Sequence, residues 1–295
     1  MLLGAIEGGG TKFVVCIGDE NGNIIKKHAF PTSTPQETMN EIFNFFDDSG
    51  IEALGIGMFG PLDLNKSSPT YGYVTTTPKP NWSNFNVLGL LKERYNIPIN
   101  IDTDVNGACL GELFFGSAHG LNSCLYLTIG TGIGGGAVVE GKLVHGLLHP
   151  EMGHMKLIRH PDDDFEGICP FHQNCFEGLA SGPAIEKRYQ QKAYLLDENH
   201  PAWDIEAYYI AQALVTYILV LSPEKIVLGG GVMKQKQLFP KIHQQVITLL
   251  NGYIQKDELT LQYIEQYIVE PMLGDCAGIC GALALAYEAF KNNVK

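Results

Sequence analysis

The stretch Leu2-Leu3-Gly4-Ala5-Ile6-Glu7-Gly8-Gly9-Gly10-Thr11-Lys12-Phe13-Val14-Val15-Cys16-Ile17 opens the chain and decides its fold. It predicts two apolar strands joined by a glycine-rich turn, and Asn21-Gly22 then predicts a hairpin into a third strand. Downstream, Pro35 to Asp48 has helical spacing with Thr34 as its N-cap. Ile51 to Met58 reads as a short buried strand.

The same order of elements returns about 120 residues later. Cys124 to Ile129 is apolar, Gly130 to Gly136 forms a turn, and Glu140-Gly141 marks the next hairpin. A helix and a strand follow, at Ile205 to Leu221 and Lys225 to Leu228. The repeat predicts an α/β protein of two related lobes around a cleft.

The predicted boundary falls near residues 115–121, where Gly116, Ser117 and Gly120 interrupt the pattern. We therefore expect an N-terminal lobe over 1–118 and a C-terminal lobe over 119–295. A last helix, at about 276–291, could pack back on the N-terminal lobe.

Composition limits the class of protein. The chain has 295 residues, 45% hydrophobic and 18% charged, which is typical of a folded protein and excludes an intrinsically disordered one. The formal net charge of −12 argues against nucleic acid or an anionic membrane as the main partner. Glycine contributes 34 residues, well above the usual share of about 7%.

The start of the chain and its cysteines bear on location. The N-terminus has no basic flank before Glu7 and does not read as a signal peptide, and no apolar run reaches the length of a membrane span. There are seven cysteines, an odd number, and most lie in apolar patterns typical of buried thiols. We expect a reduced, cytoplasmic protein.

The glycine turns suit phosphate binding. Residues without Cβ let several backbone N–H groups converge on phosphate oxygens. Both turns also carry a hydroxyl, and Lys12 adds a cation to the first. Neither matches a P-loop, and both run from strand to strand, which disfavours a Rossmann motif. The candidate phosphate-binding residues are Gly9, Gly10, Thr11, Lys12, Gly130, Thr131 and Gly132, and Gly229, Gly230 and Gly231 form a third glycine cluster.

A candidate general base lies in Asp102-Thr103-Asp104-Val105-Asn106, where a strand ends and a helix begins. Phosphoryl transfer to a hydroxyl needs a carboxylate in line with the phosphate to accept the proton. The residue pattern alone does not choose between Asp102 and Asp104, and either could simply cap the helix.

A candidate metal site is formed by His154, Cys169, His172 and Cys175, spaced His-x14-Cys-x2-His-x2-Cys. Two nitrogen and two thiolate ligands are the set that tetrahedral zinc takes. Four protein ligands close the coordination shell, so this zinc is expected to be structural.

Three motifs resemble those of the ROK (repressor, open reading frame, kinase) family of actin-like sugar kinases. Glu7 to Lys12 and Ile129 to Gly134 match its two phosphate motifs, and Leu228 to Val232 matches its adenosine motif, in family order across essentially the whole chain. The resemblance implies a ribonuclease-H-like fold in each lobe, with MgATP and a sugar in the cleft. The family usually has Asp where Glu7 stands; the longer carboxylate can still hold the magnesium hydration shell.

The resemblance also implies roles for single residues. The family's Asn-Asp-x-Asn motif aligns Asp104 as the base, with Thr103 in place of the first Asn. The family carries a zinc motif here, and its Glu-x-Gly-His motif matches Glu151 to His154. There Glu151 and Glu177 hold sugar hydroxyls. Further carry-overs are Gly60, Pro61, Thr103 and His154 at the sugar site and Pro183 near the nucleotide.

The function expected from the resemblance is ATP-dependent phosphorylation of a hexose. The Thr-Asp-Val-Asn form resembles the bacterial fructokinases of the family, so D-fructose is the expected substrate and fructose 6-phosphate the product. Glucokinase, mannokinase and N-acetylmannosamine kinase remain alternatives. A sugar-responsive repressor is disfavoured because only six residues precede Glu7, and an actin-like structural ATPase would lack the sugar base and zinc segment. The family also suggests a homodimer.

Overall fold

The structure is a computed structural model that describes residues 1–77 and 79–294. Lys295, the last residue of the predicted C-terminal lobe, lies outside that description. Contacts between residues divide the chain into two compact units. Unit 1 contains the described residues of Met1–Gly120, Leu143–Pro150 and Met272–Lys295, and unit 2 contains Leu121–Lys142 and Glu151–Pro271.

Unit 1 is an α/β unit. Its strands are β1 Leu3–Gly8, β2 Lys12–Gly18, β3 Ile24–Pro31, β4 Ala53–Met58, β5 Tyr73–Val74, β6 Phe85–Asn86 and β7 Ile99–Thr103. Its helices are α1 Pro35–Phe46, α2 Val87–Arg94, α3 Asp104–Phe115 and, from the C-terminal segment, α9 Ala277–Val294.

The main sheet of unit 1 has the strand order β3-β2-β1-β4-β7. β1, β2 and β3 pair antiparallel, whereas β4 and β7 join as parallel strands. The carboxyl ends of β1, β4 and β7 therefore meet at one edge. Glu7, Asp104 and the residues that lead from β4 to Gly60 lie at that edge.

Both faces of this sheet are covered, which explains why β4 is buried along its whole length. Side chains alternate between the faces. One face, including Ile6, Val15 and Ile56, packs into a core with α1 and α2. The other, including Ala5 and Cys16, packs against α9.

Unit 2 has its own sheet. Its strands are β8 Cys124–Ile129, β9 Ile133–Val139, β10 Lys142–Leu143, β11 Lys225–Gly229 and β12 Ile268–Val269. Its helices are α4 Phe176–Ala180, α5 Gly182–Tyr189, α6 Ala202–Leu221, α7 Leu238–Leu250 and α8 Ile264–Tyr267.

The two sheets share one topology. The second has the order β10-β9-β8-β11-β12, with an antiparallel pair β8 and β9 and parallel additions at β11 and β12. In each sheet the third, second, first, fourth and fifth main strands follow one another. This duplication confirms the predicted α/β class with two ribonuclease-H-like lobes.

Helix α6 is long and apolar enough to resemble a membrane span. Half of its apolar window is buried, and residues including Trp203, Tyr209 and Leu214 are fully covered. Burial on this scale is what a core helix of a folded unit shows. Helix α6 is therefore a core helix of unit 2.

Two helices have side-chain caps, and the cap predicted at Thr34 is confirmed. The Thr34 hydroxyl accepts from the Glu37 backbone N–H while the Glu37 carboxylate accepts from the Thr34 N–H, a complete capping box. Ser181 caps α5 by accepting from the Ala184 N–H. Both caps act within four residues, so local sequence specifies them.

Candidate active site and metal centre

Glu7 lies near the end of β1, where the first predicted phosphate turn begins. A Cβ on Gly278 of α9 would come within 2.6 Å of the Glu7 carboxyl carbon, so the absence of a side chain there leaves room for this carboxylate. Burial, and then the negative charge of Asp104, raise the pKa of Glu7 to about 7. Lys12 and Lys27 oppose that rise only in part.

The first glycine turn connects β1 to β2. The Gly9 N–H donates to the Lys12 carbonyl at 2.9 Å, and Thr32 donates its hydroxyl to the Gly9 carbonyl at 2.7 Å. These bonds hold the turn against β3. A Cβ on Gly10 would meet the Lys79 side chain at 3.3 Å, which places a second lysine beside the turn.

The two candidate carboxylates differ sharply in their surroundings. Asp102 is buried, and its Oδ1 accepts from the Thr103 N–H at 2.8 Å and from the Asn106 side-chain amide at 2.6 Å. Its Oδ2 lies 2.9 Å from Nε2 of His145. Since both oxygens hold partners within the protein, the geometry disfavours Asp102 as the base.

Asp104 is the first residue of α3 and is half-buried. Its Oδ1 accepts from the Val105 N–H at 2.9 Å. The preceding Thr103 is buried, and its hydroxyl accepts from the Asn106 N–H at 3.1 Å as the N-cap. A carboxylate in the first turn of a helix faces the positive end of the helix dipole.

The segment after β4 holds the predicted sugar-site residues Gly60 and Pro61, joined by a cis peptide bond. The Thr75 N–H donates to the Pro61 carbonyl at 2.8 Å. The Leu62 N–H donates to Nε2 of His149 at 3.1 Å. The buried His149 ring also packs against Gly60.

The second phosphate turn, in unit 2, is tied to the predicted nucleotide residues around it. The Gly130 N–H donates to the Gly132 carbonyl at 2.9 Å, and the Gly182 N–H donates to the Gly130 carbonyl at 2.7 Å. The second bond places Pro183, at the start of α5, next to this turn. Thr131 lies at the centre of the turn.

Gly229, Gly230 and Gly231 follow β11 and return the chain to the same turn. Gly230 has a φ of +91°, and a Cβ there would come within 2.4 Å of the Ile129 carbonyl. Both the left-handed backbone and the close approach require glycine. A Cβ on Gly231 would meet open space, which leaves that side of the loop accessible.

The four predicted metal ligands meet in unit 2. Their donor atoms all lie within 4.8 Å of one another. Cys169 and Gln173 exchange backbone hydrogen bonds, and Lys156 donates to the His172 carbonyl and to Asn174. These contacts form a tight loop that presents Cys169, His172 and Cys175.

The spacing of the donor atoms fits zinc. Nδ1 of His154 lies 3.7 Å from the Cys169 sulfur and 3.6 Å from the Cys175 sulfur, and Nδ1 of His172 lies 3.7 Å from Cys169. Zinc bonds of about 2.3 Å to sulfur and about 2.0 to 2.1 Å to nitrogen give a tetrahedral S···N edge of about 3.6 Å. Burial raises the pKa of the Cys175 thiol to about 11, so metal uptake must displace its proton.

The two predicted sugar carboxylates flank the metal ligands in the chain. Glu151 is exposed and precedes the short 3₁₀ turn Met152–His154. Glu177 is half-buried in α4, and its Oε2 accepts from the Ile133 N–H at 2.9 Å, beside Gly132. The metal loop and the second phosphate turn thus share Glu177.

The structure groups the predicted residues by unit. Unit 1 holds Glu7, Gly9, Gly10, Thr11, Lys12, Gly60, Pro61, Thr103 and Asp104. Unit 2 holds Gly130, Thr131, Gly132, Glu151, His154, Cys169, His172, Cys175, Glu177, Pro183, Gly229, Gly230 and Gly231.

Three residues of unit 1 were not predicted: Lys79, His145 and His149. His145 and His149 have no partner at a recognisable spacing in the sequence. Their partners lie 43 and 87 positions away along the chain, at Asp102 and Leu62. No local pattern indicates such pairs.

Known proteins resemble this chain over its whole length. The model of the ROK family matches residues 3–289. A fructokinase from Pediococcus pentosaceus is 47% identical, covering 99% of this chain and 100% of its own. A fructokinase from Zymomonas mobilis is 44% identical, covering 98% of this chain and 97% of its own.

Solved structures give the same result. A ROK hexokinase from Thermus thermophilus superposes with a TM-score of 0.78 at 26% identity, covering 99% of this chain and 100% of its own. A ROK family glucokinase from Streptomyces griseus, solved with glucose and AMPPNP, gives a TM-score of 0.76 at 24% identity, covering 98% and 100%. Because the family model matches residues 3–289 and full-length relatives are up to 47% identical among those named, this chain belongs to the ROK family.

Proposed function

We propose that this chain is an ATP-dependent fructokinase, which transfers the γ-phosphoryl group of MgATP to D-fructose and forms fructose 6-phosphate. The observation that carries the proposal is the identity of 44 to 47% with curated fructokinases from end to end. The carboxylate geometry at the end of β7 supports the same chemistry.

The proposed base is Asp104. As the sugar hydroxyl attacks the γ-phosphorus, its proton must pass to a nearby carboxylate. Asp104 is the first residue of α3, directly after the end of β7, and its side chain is half-buried. The neighbouring Asp102 has hydrogen-bond partners on both oxygens, and its proposed role is to stabilise the turn between β7 and α3.

The proposed nucleotide residues follow from the backbone turns. Gly9 to Lys12 and Gly130 to Gly132 hold the phosphates through backbone N–H groups, and Lys12 adds a positive charge. Glu7 would hold the hydration shell of a bound magnesium ion, and that ion would supply positive charge beside the phosphates. Gly229 to Gly231 lie along the adenosine, with Pro183 nearby.

The proposed sugar residues are carboxylates, because each can accept hydrogen bonds from adjacent hydroxyls. Glu151 and Glu177 take that role, with His154, Gly60, Pro61 and Thr103 as further contacts. Zinc bound to the four His and Cys ligands would hold this segment in one conformation without taking part in phosphoryl transfer.

The test is a coupled ADP-release assay across fructose, glucose, mannose and their N-acetyl amines. We expect the highest kcat/KM on fructose. A higher value on another sugar would replace fructose as the substrate and leave the kinase assignment in place, whereas no sugar-dependent ADP release would overturn the proposed function.

Substitution of the base tests the mechanism. Asp104→Ala should lower kcat by at least about 100-fold, because general base catalysis typically contributes 10²- to 10⁴-fold. The exposed Asp162→Asn is the matched control and should retain full activity. Appreciable sugar-dependent ADP release by a folded Asp104→Ala protein would refute the assignment of the base.

We further propose that the enzyme is a homodimer and works in the cytoplasm. The homodimer rests on the family resemblance. The location rests on the cysteines, which form no disulfide within residues 1–77 and 79–294 and include the pair that the zinc site requires as thiolates. Light scattering on the purified protein would measure its mass, and a monomeric mass at micromolar concentration would contradict the dimer.

A further inference from the structure

The segment 143–150 is grouped with unit 1, although the chain on both sides of it belongs to unit 2. It carries two histidines with partners in unit 1. His145 contacts Asp102 at the end of β7, and His149 accepts from the Leu62 N–H after β4. Between them, the Leu147 side chain is almost fully exposed. The histidines thus hold this segment against unit 1.

His145 is part of a hydrogen-bonded group around Asp102. Its Nε2 lies 2.9 Å from the Asp102 Oδ2 and 3.4 Å from the Asn106 side-chain nitrogen. That same nitrogen donates to the Asp102 Oδ1 at 2.6 Å. Within the described residues, the buried Oδ1 of Asn106 has no hydrogen-bond partner. The Asn106 side-chain nitrogen therefore donates to Asp102, while the side-chain oxygen makes no hydrogen bond within the described residues.

The hydrogen bonds of this group join residues on both sides of Asp104, the proposed base, in the chain. Asp102 also accepts from the Thr103 N–H, and the Thr103 hydroxyl accepts from the Asn106 N–H. Asp104 lies between these residues in the chain, in the first turn of α3. A displacement of Asp102 would therefore move the Asp104 backbone, through Thr103 on one side and through Asn106 on the other.

Asp102 and His145 differ in exposure, and their contact changes the pKa of His145. The Asp102 side chain is 7% exposed, whereas that of His145 is 36% exposed. The hydrogen bond to Asp102 raises the pKa of His145, against the lowering effects of its burial and of Lys66. Tyr71 and Glu288 also face Asp102. His145 thus gives the Asp102 Oδ2 a hydrogen-bond donor from a distant segment of the chain.

We propose that His145 is a positioning residue for the phosphoryl transfer, holding Asp102 so that Asp102 and Asn106 orient the β7–α3 turn that presents Asp104. The inference rests on the proposed function of Asp104 as base. It extends that function to a residue from a distant segment of the chain.

Four variants test the proposal. His145→Ala removes the contact, and His145→Asn keeps a polar amide that falls short of Asp102. His145→Gln can place its amide nitrogen near the position of Nε2. Leu147→Ser changes an exposed side chain of the same segment and is the control. The assay measures kcat and both KM values on the preferred sugar of the substrate screen, per folded protein.

We expect kcat to fall by about 10- to 100-fold in His145→Ala and His145→Asn, as for loss of one hydrogen bond to a charged group. His145→Gln should recover kcat to within about 3-fold of the wild type, and Leu147→Ser should match the wild type. Both KM values should change by less than about 2-fold, because the affected group acts in the transition state.

A double-mutant cycle identifies the route. If His145 acts through Asp102, then His145→Ala should cost little further activity once Asp102→Asn is present. Multiplicative losses, a kcat for folded His145→Ala equal to the wild type, or equal kcat values for the Asn and Gln variants would overturn the proposal. A wild type without sugar-dependent activity would instead refute the proposed function.

Discussion

The substitution Glu7→Gln should stabilise the ligand-free protein at neutral and alkaline pH. Glu7 is half-buried and close to the charge of Asp104, and its pKa rises from 4.5 to about 7. Glutamine has nearly the same shape and carries no charge. Replacing the carboxylate therefore removes the unfavourable burial of charge while leaving the packing against Gly278 in place.

The size of the effect follows from linkage. Because the folded state binds the Glu7 proton more tightly than the unfolded state, this residue contributes stability below pH 4.5 that is lost as the pH rises through 7. At about 1.36 kcal/mol per pKa unit, the loss is about 3 kcal/mol at pH 8. We expect Glu7→Gln to exceed the wild type by about 3 kcal/mol at pH 8 and by about 1 kcal/mol at pH 5.5.

The assay is urea unfolding followed by tryptophan fluorescence between pH 5.5 and 8. The chain has two tryptophans, and Trp82 lies in the core of unit 1, the unit of Glu7. Trp203→Phe, introduced into every variant, leaves Trp82 as the single reporter. Glu41→Gln on the exposed face of α1 is the control and should stay within about 0.5 kcal/mol of its parent.

Two results would refute this reasoning. One is a Glu7→Gln protein no more stable than its parent at pH 8, and the other is a stability difference that does not grow with pH. Magnesium with a non-hydrolysable ATP analogue adds a link to function. Since the carboxylate is the proposed support of the magnesium shell, the ligand should stabilise the wild type more than Glu7→Gln.

Two further predictions concern the metal and the packing of α3. Purified protein should contain about one zinc per chain, and Cys175→Ser or chelation should lower the melting temperature and the activity, because the metal contributes to folding; full activity after complete zinc removal, measured by metal analysis, would contradict the structural role. Gly281→Ala should cost about 3 kcal/mol or more in unfolding free energy, because its Cβ would lie 1.6 Å from the Gly107 carbonyl oxygen, where α9 crosses α3. Gly146→Ala, where the Cβ meets open space, should stay within about 0.5 kcal/mol, and equal costs for the two variants would show that the crossing is not tightly packed.

Local sequence was a good guide wherever the determining residues are neighbours in the chain. The capping box at Thr34 and the cap at Ser181 depend on partners three residues away. The Cys-x2-His-x2-Cys loop brings three metal ligands together through one tight hairpin. The repeated strand, glycine turn and strand predicted two sheets, which share one strand order. These features depend on short-range geometry and on alternating burial, and both follow from the order of neighbouring residues.

The choice between Asp102 and Asp104 needed the tertiary structure. Both stand within three residues where a strand ends, so spacing treats them alike. They differ because His145, from the segment 143–150, lies against one of them. The assignment of that segment and of 272–295 to unit 1 likewise depends on contacts between distant parts of the chain.

By itself, then, the sequence determined the α/β class, the duplication, the two glycine turns and the cluster of His and Cys side chains, since each follows from the order and spacing of residues. Only the tertiary structure decided which carboxylate keeps its oxygens engaged inside the protein, why Gly281 has no side chain, and what His145 and His149 contact. The physical reason is that burial, desolvation and hydrogen-bond saturation depend on every group packed around an atom. Those groups come from segments whose separation along the chain carries no signal.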